Sequence, residues 1–200
     1  ELTTILAVGS KRVEHFGENL DILNHSGFDF QLIVVTGKDK ELFEELKEVE
    51  WHHITHLYEF VDQMPEFMRA SDLLIAKAGG LIVTEALASG LPMVLIDVIP
   101  GQESGNAKFI QNGNAGFWTK NSIEFIQVLG HLFFNEKRYL RQTKENAQIL
   151  GKPSSAIKIT ELIINQLETS EFTCSPKGDF IQKIEDILVK NQIQWKKKQK

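Results

Sequence analysis

The chain has 200 residues, is 42% hydrophobic, and carries 27 acidic against 22 basic side chains for a formal net charge of −5. That length supports one substantial domain, or one domain with an appendage. The acidic balance argues against general nucleic-acid binding. A single cysteine, Cys174, rules out an internal disulfide and fits a reducing compartment. No stretch approaches the roughly twenty apolar residues needed to cross a bilayer, and no signal-peptide pattern opens the chain. A soluble, cytoplasmic protein is expected. The start, Glu1-Leu2-Thr3-Thr4-Ile5, has no initiator Met and almost no lead into the first strand, which reads as a domain cut from a longer protein.

In chain order, Thr3–Val8 is a predicted strand and Gly9-Ser10-Lys11-Arg12 its turn. A helix is expected from about Val13 to His25, with Phe16, Leu20 and Leu23 at helical spacing and Gly27 closing it. Phe30 to Thr36 is a second buried strand, ended by Gly37. Asp39 to Val49 reads as a charged helix with Leu42, Phe43 and Leu46 inward. Residues 53 to 58 look like a third strand, followed by a short helix over Phe60 to Ala70 that Pro65 is expected to break early.

The apolar runs Leu73–Ala76 and Met93–Ile96 lack alternation, as parallel strands covered on both faces do. Between them lie Gly79-Gly80, a helix, and Gly90-Leu91-Pro92, where Gly90 suits the left-handed residue after a helix and Pro92 blocks its continuation. Beyond Asp97, the loop Val98 to Gln102 leads to a helix over about Glu103 to Gln111. A strand follows at Ala115 to Thr119. Asn121 with Glu124 forms a capping-box-like start for a helix to about Phe134, and further helices are expected near 136–150 and 155–168.

This alternation predicts an α/β fold with an open, Rossmann-like doubly wound parallel sheet occupying residues 1–168. Residues 169–200 are expected to be a linker and an amphipathic C-terminal helix, with Phe180, Ile184, Ile187 and Leu188 on one face, ending in Trp195 and Lys196-Lys197-Lys198-Gln199-Lys200. Such a tail can dock on a domain or make peripheral membrane contact.

The centre of the chain carries the chemistry. A Gly-Gly turn entering a helix presents unpaired N–H groups and the positive end of the helix dipole, which together make a phosphate seat. Glu85 lies just over one turn inside that helix, and helical side chains lean toward the N-terminus. Its carboxylate would repel phosphate but would accept hydrogen bonds from paired hydroxyls, as acidic residues do with ribose.

With these residues in place, the chain resembles the C-terminal, donor-binding domain of a GT-B glycosyltransferase of family 28. That family includes the bacterial transferase that makes the lipid-linked peptidoglycan precursor and the synthases that glycosylate diacylglycerol. The resemblance covers about residues 3 to 168 and rests on Lys77-Ala78-Gly79-Gly80, Thr84-Glu85-Ala86-Leu87, Gly90-Leu91-Pro92 and Pro100-Gly101-Gln102-Glu103 through Asn106. The Pro-Gly-Gln-Glu form is nearer the glycolipid synthases.

The resemblance implies that Glu85 accepts hydrogen bonds from ribose, and that N–H groups at Gly80, Leu81 and Ile82 beside Gly79 hold a diphosphate. Gln102 and Glu103 would read hexose hydroxyls with Asn106 close by. Val61, within Glu59-Phe60-Val61-Asp62, would meet uracil through its main chain, and Ser10 would lie near the donor's phosphates and sugar. The implied ligand is a UDP-hexose, used as donor substrate with no cofactor. The implied partner is a lipid acceptor, bound through an N-terminal domain that also supplies the catalytic base. The reaction would invert the anomeric centre.

Two features depart from the family pattern. Lys11 and Arg12 stand where a small residue is common, either aiding the diphosphate or simply solvated, and Ile82 replaces the usual Ser or Thr. No Asp-x-Asp motif occurs, and His52, His53 and His56 lack an acidic or Cys partner, so no metal is expected. No residue of the chain stands out as a base for an acceptor hydroxyl. The isolated chain is therefore expected to bind donor without turnover. A non-catalytic subunit requiring a partner chain and a UDP-sugar epimerase of the same fold are the alternatives, the latter disfavoured by Pro100-Gly101-Gln102-Glu103.

Overall fold

The computed structural model describes residues 2–169. The linker and C-terminal helix expected over 169–200 fall almost wholly outside the described residues. The described chain divides into a compact unit ending at Pro153 and a separate unit beginning at Ser154, to which the helix Ser155–Thr169 belongs.

Six strands form one parallel sheet: β1 (Thr3–Val8), β2 (Phe30–Val35), β3 (Thr55–Tyr58), β4 (Leu73–Lys77), β5 (Met93–Ile96) and β6 (Gly116–Trp118). Their order is β3-β2-β1-β4-β5-β6, so the direction of winding reverses between β1 and β4. The crevice beyond the carboxyl ends at such a reversal is where open α/β sheets bind ligands. Gly9 follows β1 and Gly79 follows β4, which places both turns at that crevice.

Helices α1 (Phe16–His25), α2 (Lys40–Lys47), α3 (Met64–Ala70), α4 (Gly80–Ala88) and α5 (Ser104–Asn112) connect the strands. Two apolar layers result. On one face Phe16, Leu20, Leu23, Leu42 and Leu46 pack with Ile5, Leu32, Ile75 and Val94. On the other, Met68, Val83, Ala86, Leu87 and Ile110 pack with Leu6, Leu74, Met93 and Leu95. Successive strand residues therefore point into different layers, which is why β4 and β5 need apolar side chains without alternation.

The last long element of the compact unit, α6 (Ser122–Leu150), departs from helical backbone at Phe134–Lys137, where Asn135, Glu136 and Lys137 have φ of 52°, 55° and 59°. The interruption separates the two helical stretches expected from the sequence. Phe125, Leu129 and Phe133 of the first stretch join one layer, and Ala147 of the second joins the other.

Local boundaries follow from the backbone. Asp39 and Asn121 cap α2 and α6 by accepting from Leu42 N–H and Glu124 N–H. Gly90 has φ of 66° directly after α4, and its N–H returns to Leu87 C=O. Pro65 corrects the sequence reading: it occupies the first turn of α3, where no intrahelical N–H is lost, so the helix begins at Met64 rather than Phe60 and is not broken. Similarly, α1 begins at Phe16 rather than Val13, because His15 before it takes a left-handed φ of 60°.

Gly9 is required by contact rather than by torsion. A Cβ there would lie 2.5–2.7 Å from ring atoms of Phe16, itself fully buried in the first layer. Gly9→Ala is expected to destabilise the fold by about 2 kcal/mol through overpacking. Chemical denaturation checks this, and an unchanged midpoint would mean that the Phe16 ring can yield.

Candidate functional site

The turn after β4 sets the geometry. Gly79 is extended, with φ −63° and ψ 140°, and precedes α4 without a side-chain cap. The first bond of the helix runs from Val83 N–H to Gly79 C=O, which leaves the N–H groups of Gly80, Leu81 and Ile82 ahead of it. Neither glycine of this pair has positive φ. The turn is made without left-handed backbone, and glycine at Gly80 keeps the helix entrance bare of a Cβ. No acidic residue occupies the first turn, so no fixed charge opposes an anion.

Leu81 projects outward and is 74% exposed, whereas Ile82 turns inward and packs against the second apolar layer. The missing Ser or Thr at Ile82 is thus replaced by a core contact, and the N–H donors remain. Glu85 is half-buried on the next turn, about 7.5 Å along the axis from Gly80. Among the described residues no hydrogen bond or ion pair engages its carboxylate.

The loop after β5 forms the opposite wall. Gly101 has φ of 81° and its N–H donates to Ser104 Oγ, while Gln102 is exposed. Glu103 is not: only 7% of it is accessible, its Oε2 accepts from Ile99 N–H at 3.0 Å, and its Oε1 lies 3.7 Å from Lys77 Nζ. The carboxylate that the resemblance assigns to hexose hydroxyls also braces its own loop against the end of β4. Asn106 makes a parallel tie, donating from Nδ2 to Ala78 C=O at 2.9 Å. Together Glu103 and Asn106 bind the two ligand-facing turns to each other.

Ser10 and Val61 complete the rim. Ser10 Oγ accepts from Arg12 N–H and Ser10 C=O from Val13 N–H, which folds the first loop tightly. Val61 lies between β3 and α3 and packs at the edge of the second layer, with its main-chain N–H and C=O unpaired among the described residues. The strands are parallel, so the turns carrying Ser10, Val61, Gly79, Gly80 and Gln102 all emerge at one edge of the sheet.

Lys11 is turned elsewhere. Its ammonium pairs with Glu45 and Glu41 of α2, and those bonds raise its pKa above the ordinary lysine value. Asp39 holds the same loop: its carboxylate accepts from Leu42 N–H and from Lys11 N–H at 2.8 Å, and these bonds lower its pKa. A lowered carboxylate pKa stabilises above the unfolded value of about 4 and is lost as pH falls through the folded value. The Lys11 amide resonance is accordingly expected to titrate below about pH 4, and Asp39→Asn to remove that titration.

The histidines are placed apart in role. His53 stacks on Phe30 at 4.2 Å and His52 meets His25 edge-on at 5.0 Å. Among the described residues no group of three or more His, Cys, Asp or Glu side chains is placed to hold an ion. No described helix is long and apolar enough to cross a membrane.

The model of the glycosyltransferase family 28 C-terminal domain matches residues 6–159, most of the compact unit and every site residue above. The chain belongs to this family. Among its relatives, monogalactosyldiacylglycerol synthase 3 of Arabidopsis thaliana is 37% identical over 131 residues, covering 66% of this chain, and a probable monogalactosyldiacylglycerol synthase of Glycine max is 31% identical over 149 residues, covering 72%. The chain spans only 28% of the length of each.

Among solved structures, MurG of Acinetobacter baumannii superposes with a TM-score of 0.64 at 19% identity over 82% of this chain and 52% of its own. A UDP co-structure of MnaA from S. aureus superposes at 0.61 and 19% identity, over 88% of this chain and 48% of its own. These likenesses establish the Rossmann-like GT-B architecture. Lys77 was quoted in the family motif without a role. What sequence reasoning missed is its pairing with Glu103, for which a cation at the end of a buried strand was the available signal.

Proposed function

We propose that this family 28 domain binds the UDP-sugar donor of an inverting hexosyltransferase whose acceptor is a lipid such as diacylglycerol. The observation that carries the reading is the bare entrance of α4, with three N–H groups ahead of the first helical bond and the unengaged Glu85 carboxylate one turn behind. A diphosphate fits the donors and ribose hydroxyls fit the carboxylate, in the order in which a nucleoside diphosphate presents them. Support comes from relatives named as monogalactosyldiacylglycerol synthases and from similarly folded proteins solved with UDP or UDP-glucose.

In this reading Val61 meets uracil by its main chain, Ser10 approaches the phosphates, and the exposed Gln102 reads the hexose while Glu103 and Asn106 hold its loop. Departure of the diphosphate is favoured by fixed N–H donors, which are worth most where water is excluded. The acceptor hydroxyl needs a base, which this chain does not offer at the site. Base and lipid groove come from a further part of the protein, working at the cytoplasmic face of a membrane.

Calorimetric titration with UDP, UDP-glucose and UDP-galactose tests the proposal. Saturable UDP binding with a preference between the two sugars is expected, without release of free UDP by this chain supplied with diacylglycerol. Absence of UDP binding both here and in a longer chain would refute it.

A further inference from the structure

A cavity of about 570 Å³ lies at the edge of the sheet opposite to the donor turns, bounded by the amino ends of β1, β2 and β4 and by the second helical stretch of α6. That volume falls within the roughly 300–1,000 Å³ typical of small-molecule sites. β1 is six residues long, so about 20 Å separates Thr3 in this cavity from Gly9 at the donor crevice.

The cavity is basic in an acidic chain. Lys137, Arg141 and Lys144 line it against the single carboxylate of Asp72, whereas the whole chain has a net charge of −5. Asp72 is fully engaged: its Oδ1 accepts from Lys144 Nζ at 2.8 Å and its Oδ2 from Thr4 N–H at 3.1 Å. The other two cations donate to neutral acceptors alone. Lys137, held by the interruption of α6 at a left-handed φ of 59°, reaches back 134 positions to Thr3 Oγ1 at 2.7 Å and to Asp29 C=O at 3.5 Å. Arg141 donates from Nη1 to Glu136 C=O at 2.6 Å. Among the described residues no carboxylate pairs with either side chain.

Two like charges in one cleft without a counter-charge repel each other, and an anion bound between them relieves the repulsion. The surplus selects the ligand. A phosphomonoester, with a charge of about −1.5 to −2 at neutral pH, matches it, whereas a single carboxylate leaves part of it unbalanced. The geometry of Arg141 agrees, because engagement of Nη1 leaves the edge formed by Nε and Nη2, the fork that grips two phosphate oxygens at once. We propose that this cavity is an anion site that takes the phosphomonoester group of a soluble metabolite or of a lipid headgroup on Arg141 and Lys137. It is separate from the donor site and is occupied together with it.

The test is an NMR titration of the 200-residue chain with sodium phosphate at constant ionic strength, following the Arg141 Nε–H, which reports this cavity and not the phosphate seat at α4. A saturable shift is expected, with the same isotherm in saturating UDP. Arg141→Lys keeps the charge and loses the fork, and should weaken binding about tenfold as read on the backbone amides of residues 137–144. Lys137→Met combined with Arg141→Gln should abolish it. Glycerol 3-phosphate, and vesicles of phosphatidylcholine with or without phosphatidate, separate the two sources. A soluble ligand shifts Arg141 as inorganic phosphate does and leaves the chain off the vesicles; a headgroup ligand adds sedimentation with the phosphatidate vesicles that the double variant loses. The proposal is overturned if phosphate does no more than sodium chloride, if UDP displaces phosphate from Arg141, or if both variants keep the wild-type isotherm. A failure of the donor-site reading would instead show as absent UDP binding with the phosphate isotherm at Arg141 intact.

Discussion

Glu85→Ala is expected to weaken UDP binding about a hundredfold while leaving the fold as stable as before. The carboxylate is the one acidic group set behind the α4 entrance, and in the donor-site reading it accepts from both ribose hydroxyls. Two hydrogen bonds to a charged acceptor contribute roughly 3 kcal/mol together, which is about two powers of ten in affinity. Stability should not follow, because no group among the described residues depends on Glu85 and alanine is the best helix former. Glu85→Gln should fall between, retaining one acceptor oxygen and losing the charge. Calorimetry and thermal unfolding on the same samples separate the two effects. Equal UDP affinity in wild type and Glu85→Ala would show that ribose is read elsewhere.

The framework was legible in the sequence wherever burial on both faces leaves only one solution. Met93–Ile96 matches β5 residue for residue, and Leu73–Ala76 falls one residue short of β4. Gly90 was readable because the residue after a helix carries its own torsional demand. Pro65 misled because its missing N–H is harmful inside a helix and harmless in the first turn, and only the observed start at Met64 decides which applies. The left-handed residues His15, Asp97 and Asn135–Lys137 were not legible, since none is a glycine.

At the site, the sequence disclosed which residue types gather but not which way they face. Gly79, Gly80 and Glu85 lie within seven positions of one another, and helix geometry alone relates them. The hydrogen bond from Asn106 to Ala78 spans 28 positions, and the pairing of Glu103 with Lys77 is comparably remote. Such contacts follow from sheet register, in which Lys77 stands beside Ile96 across β4 and β5. The family motif Pro100-Gly101-Gln102-Glu103 assigns both Gln102 and Glu103 to the hexose and says nothing of their different burial. The backbone turn sends one outward and the other into the protein.

That division predicts a large and specific effect at Glu103. Glu103→Ala removes the acceptor for Ile99 N–H and leaves Lys77, whose side chain is 27% exposed, without its counter-charge. An orphaned N–H and a partly hydrated ammonium together should cost about 2 kcal/mol, less than a fully buried pair would because water still reaches Lys77. The loop from Val98 to Gln102 loses its tie to β4, so in the donor-site reading discrimination between UDP-glucose and UDP-galactose should collapse, while UDP, which that reading seats at α4, should bind nearly as before. Glu103→Gln preserves an acceptor for Ile99 N–H and should retain more of the stability. Adding Lys77→Met to Glu103→Ala should restore part of the loss, since it removes the uncompensated charge. A direct hexose contact would produce a different pattern, with sugar preference altered at unchanged Tm in both single variants and no rescue by Lys77→Met. Thermal unfolding of the four proteins, paired with the three nucleotide titrations, distinguishes a brace from a reader.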